Sequence, residues 1–488
     1  MEANSNNIDR SKKRKKAWKI VGIVFAAIFL SLGLLIGWFF LNSASYRVSE
    51  PLSTDSVPSV DSLVHQGREK GTERGIYDGQ GQRIQLRGVN AGNLLVQESW
   101  MSPFALEPET DAEGEYVKDK DGNITYPYFT EEDFRNGLNS NPNLVGKVDE
   151  LMNYYYDSYF SDEDFRIIHD DLKFNCIRLP FYWRNILIQN EDGTFARRSE
   201  EEAFGYLDRF ISRAAAHDIY VIPDLHGVPY SQSGYEHSGI FTDKPGYWDS
   251  EEAIAATVDI WKYVSEHYSK PENRTLSEAI AAYDLLNEPQ TKKGTPEAKI
   301  CFDVQNRMYQ AIRNNGDNHL ITIEVMWDPN VAPDPANYGW TNIMYQYHHY
   351  NWGRVAVPAF KAYMDMRQLG KDFDVPIYIG EFTCFEDEEV WRSTLVNWYD
   401  NRYYNWTIWS YKIATTGWWT SSWGVYTCAL NLKSSQGETK LNVSTCTEKE
   451  FKKVCDKMKT SVCKTGTLKK VIDAYNSEWS IAETRSDD

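Results

Sequence analysis

The chain has 488 residues, 42% of them apolar and 14% aromatic, enough to bury a core well beyond that of a small domain. Its formal net charge of −18 argues against nucleic acid as a partner. The charge is uneven, because residues 1–47 hold eight basic and two acidic side chains, a net of +6, which leaves −24 on residues 48–488.

In chain order, residues 1–19 read as a basic cytoplasmic tail. Residues 20–41 form an uncharged apolar run, long enough to cross a bilayer core of roughly 30 Å as a single transmembrane signal-anchor. Seven of the eight basic residues precede it, so the tail is expected inside and the body outside the cell membrane. The alternative is a signal peptide cleaved near Ser43-Ala44-Ser45, giving a secreted protein; the apolar run is longer than the usual core of such peptides. Residues 42–70, rich in Ser, Pro, Val and charge, read as a stalk.

From residue 71 to 488 short apolar runs alternate with amphipathic stretches, as in a parallel α/β fold. Eight strands are predicted, at 84–89, 176–179, 220–224, 282–286, 320–323, 343–347, 377–379 and 406–409. Helices are predicted at 161–172, 200–217, 251–268 and 299–314. Eight strands with helical crossovers predict a (β/α)8 TIM barrel as one catalytic domain acting as a monomer. Two insertions, near 100–160 and 411–463, exceed ordinary loop length and follow strand ends, so both are expected over the active face. Of seven cysteines, Cys428, Cys446, Cys455 and Cys463 cluster late and predict one or two disulfides stapling the second insertion, while Cys176, Cys301 and Cys384 are scattered. Sequons start at Asn123, Asn273, Asn405 and Asn442. No Cys/His set has zinc spacing, and no metal or organic cofactor is expected.

The chemistry concentrates at strand ends. Glu288 follows the run Ala281-Ala282-Tyr283-Asp284-Leu285-Leu286-Asn287, and Glu381 follows Ile377-Tyr378-Ile379-Gly380. Catalytic groups of a barrel sit where its strands end. Two carboxylates facing each other there are the apparatus for cleaving a glycosidic bond. In such a pair the attacking group must stay ionised, and Arg178, whose planar fork suits a carboxylate, is the cation to hold it so, while the other needs a higher pKa. The 17 Trp and 31 Tyr fit a surface on which sugar rings stack, although a large packed core explains them as well.

Six ordered segments carry a resemblance. They are Gly88-Val89-Asn90-Ala91-Gly92-Asn93-Leu94-Leu95-Val96-Gln97-Glu98-Ser99-Trp100, Phe174 to Trp183, Asp224-Leu225-His226-Gly227-Val228-Pro229-Tyr230-Ser231-Gln232-Ser233-Gly234, Asn287-Glu288-Pro289, His348-His349-Tyr350 and Gly380-Glu381-Phe382. Together they resemble the exo-β-1,3-glucanase branch of glycoside hydrolase family 5. The resemblance implies a retaining β-glycosidase acting on a β-glucan or β-glucoside, with Glu381 as nucleophile and Glu288 as acid and then base. It implies that Asn287 holds the 2-hydroxyl of the reacting sugar and that His226 lies near the same ring. His348 and Tyr350 face the site, Tyr350 donating to the nucleophile, while His349 points away or shields it. Trp409 forms a platform under the sugar, and Glu98 grips the far hydroxyls of a terminal glucose. With Arg178, these residues are the expected substrate-binding set.

Three departures bear on substrate preference. Gly92-Asn93-Leu94 stands for Gly-Gly-Trp, Pro229-Tyr230-Ser231-Gln232 for Pro-Gly-Ser-Gln, and Phe382 for the Trp after the nucleophile. Trp418, Trp419 and Trp423 either add sugar subsites or pack the insertion. An endo-β-1,4-glucanase and a membrane-proximal glycolipid glucosidase are the enzymatic alternatives. A non-catalytic glycan receptor is the rival of another class, and the presence of both carboxylates speaks against it.

Overall fold

The computed structural model describes residues 18–19, 29–33, 63–68, 72–118, 122, 124–289, 296–325, 331–350, 356–384, 388–414, 423–428, 433–434, 437–438 and 440–479. It divides into two units, Met1–Pro51 and Leu52–Asp488. In the first, residues 18–19 and 29–33 are helical. The predicted span 20–41 lies mostly outside the described residues, and among those described no helix is long and apolar enough to cross a membrane.

The second unit is built on eight parallel strands. They are β1 (Arg87–Asn90), β2 (Cys176–Tyr182), β3 (Tyr220–Gly227), β4 (Tyr283–Asp284), β5 (Ile321–Glu324), β6 (Ile343–Tyr350), β7 (Ile377–Thr383) and β8 (Asn405–Ile408). They close in chain order, β8 pairing with β1 through Trp406 opposite Arg87. Their residues are almost all buried, because helices cover the outer face and side chains fill the inner one; hence continuous apolar runs rather than alternation. Each predicted strand has its counterpart, with ends shifted by a few residues.

Gly88 shows how tightly the seam closes. A Cβ there would lie 1.8 Å from the Cys176 carbonyl oxygen, so only glycine lets β1 meet β2. The crossover helices start on side-chain caps. Ser199 and Glu202 form a capping box before Glu200–Ala215, and the Ser250 hydroxyl accepts from the Ala253 amide before Glu251–Tyr268.

Two predicted boundaries change. The first predicted strand is split: Arg83–Ile84 joins a small antiparallel sheet with His65–Gly67 and Gly75–Tyr77, and only Arg87–Asn90 enters the barrel. His65–Gly67, read from sequence as part of the stalk, therefore belong to a sheet, while residues 42–62 lie outside the described residues. His65-Gln66-Gly67 has no strand-like alternation; pairing, and a bond from the Gln66 amide to the Asn342 side chain, hold it. The sheet's Ile76 packs with Leu86, Cys176, Ile222, Ala282, Leu320, Met344 and Tyr378 in one cluster of their own.

The described parts of the two insertions carry helices and interlock. The first contains helices Glu131–Ser140 and Val148–Tyr159, the second helix Glu448–Lys457. Leu441–Asn442 pairs in parallel with Phe104–Ala105, and the Asn141 amide donates to the carbonyls of Val443 and Cys446. Lys412, fully buried, pairs with Asp164 at 2.9 Å and donates to the Tyr159 carbonyl. Cys428 and Cys463 form the one disulfide among the described residues; Cys176, Cys301, Cys384, Cys446 and Cys455 are buried thiols. Asn405 is buried in β8 and donates to the Ile377 carbonyl, so it is no glycan acceptor in the folded chain. Asn123, Trp418 and Trp419 lie outside the described residues.

Candidate active site

Register brings the polar residues of different strands to one level. Asn90 stands opposite Arg178, Asp284 opposite Asp224 and Thr322, and His348 opposite Glu381. Arg178, fully buried, is the hub. It donates to Asp284 Oδ2 (2.7 Å), Asn90 Oδ1 (3.2 Å), Glu381 Oε1 (2.7 Å) and Asn287 Oδ1 (2.8 Å), and its Nη2 lies 3.0 Å from Asp224 Oδ1. One planar cation thus orients a carboxylate and an amide at fixed angles, which a lysine does not do.

Above it lies a cavity of about 490 Å³, open at the mouth and lined by Glu98, Trp100, Tyr128, His226, Tyr235, Glu236, His237, Asn287, Glu288, Tyr350, Glu381, Trp409 and Trp423. Glu381 accepts from Arg178 on one oxygen and from the Tyr350 hydroxyl at 2.5 Å on the other. Burial pushes its carboxyl up, and Arg178 pulls it back. Glu288 has no such cation. Burial first, and then the charge of Glu381, push its carboxyl well above the usual range. The two environments part the two acids in the expected order.

Glu288 follows Asn287 in a left-handed turn, with φ of 41°, uncommon for any residue but glycine. Its amide donates to Glu324 Oε2 at 2.9 Å, its Oε1 lies 2.8 Å from His348 Nδ1, and its Oε2 lies 3.3 Å from His237 Nε2. The tautomer of His348 follows from its neighbour. The Gln346 amide nitrogen, 3.0 Å from His348 Nε2, is a donor, so Nε2 accepts and Nδ1–H points at Glu288 Oε1. Burial holds His348 well below the ordinary histidine range, so it is neutral. With Oε1 already receiving a proton, the acidic proton of Glu288 belongs on Oε2, on the side of His237.

A carboxylate oxygen from each of Glu288 and Glu381 and a nitrogen of His348 lie within 4.8 Å of one another. That span would also admit a metal ion, but the carboxylate oxygens already receive hydrogen bonds from Arg178, Tyr350 and His348. His226 is held by Asp224 at 2.6 Å, and burial lowers it to about 3, so it is neutral too. Its ring lies nearly parallel to Trp409, 9° apart with centroids at 5.6 Å.

Of the expected substrate-binding set, Glu98, His226, Asn287, Tyr350 and Trp409 line the cavity. Arg178 and His348 do not. Both are fully buried, and their side chains meet the carboxylates rather than a sugar: Arg178 bonds Glu381, and His348 Nδ1 lies 2.8 Å from Glu288 Oε1. His349 is buried beside Tyr347, away from the cavity. Trp423 joins the lining and packs against Trp100 and Tyr350. Tyr235, Glu236 and His237 were missed, though they directly follow the third segment at Gly234. Tyr128, in the first insertion, carries no sequence signal. Two of the departures become intelligible: Asn93 and Tyr230, standing for glycines, both have φ of 63°, the region glycine favours.

Glu98 is 7% exposed and accepts from Trp100 Nε1 at 2.7 Å. Burial, with the charges of Glu381 and Glu236, pushes it up to about 8. A carboxyl raised on folding stabilises the fold below its unfolded pKa, and that contribution is lost as pH rises through its folded value. We therefore expect Glu98→Gln to unfold at a higher temperature than the parent above pH 8, with the gap narrowing as pH falls toward 4. A gap independent of pH in thermal scans would show that Glu98 does not titrate this way.

The cellulase family (glycosyl hydrolase family 5) matches residues 149–415, more than half of the chain. The chain belongs to glycosyl hydrolase family 5. Among its family relatives, a beta-xylosidase of Phanerodontia chrysosporium is 27% identical over 306 residues, covering 55% of this chain and 60% of the relative. A probable glucan 1,3-beta-glucosidase A of Emericella nidulans is 25% identical over 309 residues, covering 61% of this chain and 67% of the relative. The chain thus spans about 60% of the first relative's length. A crystal structure of an endogalactoceramidase aligns at 16% identity with a TM-score of 0.49, covering 72% of this chain and 75% of that one.

Proposed function

We propose that this family 5 protein is a retaining β-glycosidase that releases glucose from the non-reducing end of a β-1,3-linked glucan. The reading rests above all on the Glu288–Glu381 pair. Oxygens within 4.8 Å suit direct attack by a carboxylate, whereas inverting enzymes hold their carboxyls roughly 6.5–9.5 Å apart to admit a water. Glu381, ionised and oriented by Arg178 and Tyr350, attacks the anomeric carbon. Glu288 passes its Oε2 proton to the departing oxygen. In the second step Glu288, now a carboxylate, takes a proton from water as that water displaces Glu381. Neutral His348 donates to Glu288 in both steps.

The glucan 1,3-beta-glucosidase among the relatives supports β-1,3 linkage. Glu98 beside Trp100 gives the cavity a polar end suited to terminal hydroxyls, which supports exo action. Two observations keep other substrates in the test. One relative is a beta-xylosidase, and Tyr128 and Tyr235, 75% and 53% exposed at the mouth, suit an apolar group beyond the cleaved bond, as in a glycolipid. The deciding experiment is a timed product profile on β-1,3-, β-1,4- and β-1,6-glucans, a β-xyloside and glucosylceramide, with Glu381→Gln as blank. Glucose alone from the β-1,3-glucan at the earliest times is expected. A spread of oligosaccharides would replace the exo reading with an open-groove endoglucanase. Ceramide release without glucan cleavage would move the substrate to glycolipids.

We further propose that residues 20–41 anchor the protein in the cell membrane, with residues 1–19 cytoplasmic and a monomeric barrel outside. The basic head before an uncharged apolar run supports this, as does a disulfide, which suits an oxidising compartment. The full chain should stay with membranes after an alkaline wash; recovery in the wash would mean the anchor is cleaved or absent.

A further inference from the structure

Glu324 ends β5 as Glu381 lies on β7, after an apolar run, yet it does not line the cavity. It is fully buried. Its Oε2 accepts from the Glu288 amide at 2.9 Å and from Gln346 Nε2 at 3.4 Å. Among the described residues its Oε1 has no hydrogen-bond partner, and it lies 3.6 Å from His348 Nδ1, whose proton is directed at Glu288. From β4 the Asp284 carboxyl faces it, from the turn after β4 Glu288, from β2 Arg178, and from β6 His348 and Gln346. The Gln305 side chain holds its backbone.

The charge balance around Glu324 is one-sided. Arg178 is in contact with Asp284, Asp224 and Glu381 at 2.7–3.0 Å and makes no ion pair with Glu324. His348 is neutral. An ionised Glu324 would be a dry anion beside two other acids, with no counter-charge of its own. Buried carboxyls in such surroundings keep their proton. Hydrogen-bond counting agrees: Glu324 Oε1 and Gln346 Oε1 are both buried acceptors without donors among the described residues, and a proton on Glu324 converts one of them into a donor.

The backbone gives this acid a task. Glu288 sits at φ 41°, a conformation that the Cβ of a non-glycine residue disfavours. The bond from its amide to Glu324 fixes that turn, which aims the Glu288 side chain between His348 and His237. We propose that Glu324 is a positioning residue of the active site: a carboxylic acid that stays protonated through the cycle and pins the left-handed backbone of Glu288. The inference rests on the reading of Glu288 as the acid/base.

The test compares Glu324→Gln and Glu324→Leu in the full chain. Gln keeps both the acceptor and the neutrality. It should retain kcat/KM within about threefold, with the basic limb of the pH profile unmoved. Its infrared difference spectrum against the parent at neutral pH should lack one protonated-carboxyl C=O band. Leu removes the acceptor, so kcat/KM on aryl glycosides with poor leaving groups should fall about 10- to 100-fold further than on those with good ones. A basic limb that moves to lower pH in the Gln variant, or no lost band, would show a charged Glu324 and overturn the proposal. So would a Leu variant with the parent's leaving-group dependence. If the Leu variant does not fold, the infrared and pH results on the Gln variant decide. Failure of the acid/base reading shows separately, as a Glu288→Ala variant that loses equally on good and poor leaving groups.

Discussion

Glu381→Ala is expected to abolish turnover, by on the order of 10⁴-fold or more, with azide restoring it on an aryl glycoside with inverted anomeric configuration. The size of the loss follows from what the site leaves behind. Without the nucleophile no covalent intermediate forms, and Arg178 and Tyr350 both lose the group they orient. Azide is small enough to enter the vacated space and attacks from the face where Glu381 stood. One displacement then replaces two, so the product inverts. The measurement is a rate with and without azide, with the product's configuration read by NMR. Unreduced activity in Glu381→Ala without azide would end the double-displacement account. Thermal scans guard against a trivial cause, since the change also removes one partner of a buried cation.

Glu288→Ala separates substrates by leaving group. Removing the acid should cost roughly 10²- to 10⁴-fold on glycosides whose leaving oxygen needs a proton. Those whose leaving group departs as a stable anion should lose within about tenfold in the first step. The glycosyl-enzyme then accumulates, because the base for its hydrolysis is missing. Azide, needing no base, should attack that intermediate from the face Glu288 occupied, giving a product of retained configuration. Opposite stereochemistry from the two variants is the sharper check, for it assigns each carboxylate to one face of the sugar. The Glu288 amide bond to Glu324 belongs to the backbone, so the truncation leaves the turn's anchor in place.

The barrel was legible because its strands are apolar runs punctuated by capped helices, and because Glu288 and Glu381 each follow such a run. The same rule picks out Glu324, after Leu320-Ile321-Thr322-Ile323, yet no segment of the resemblance covers it and it was passed over. What sequence spacing does not encode is depth. Arg178 and His348 sit on strands at the right level in the chain, but both are fully buried, with their hydrogen bonds spent on the carboxylates. The sheet of His65–Gly67 was hidden for a different reason: three residues without alternation become a strand only when a distant partner supplies the pairing. The rim residues Tyr128 and His237 arrive on a loop and on the single 3₁₀ turn Glu236–Ser238, both too short for periodicity to carry information.

The interlocked insertions have a consequence for how the protein is made. The cavity wall begins at Glu98 and ends at Trp423, and the strands carrying the two insertions, β1 and β8, are the pair that shuts the barrel. On the ribosome the first insertion must therefore wait, its Phe104–Ala105 edge unpaired, until nearly the whole domain has emerged and Leu441–Asn442 reaches it. Sugar binding then serves as a late reporter of synthesis: a nascent chain halted before residue 405 has one catalytic carboxylate of each kind but no eighth strand to hold them in a ring.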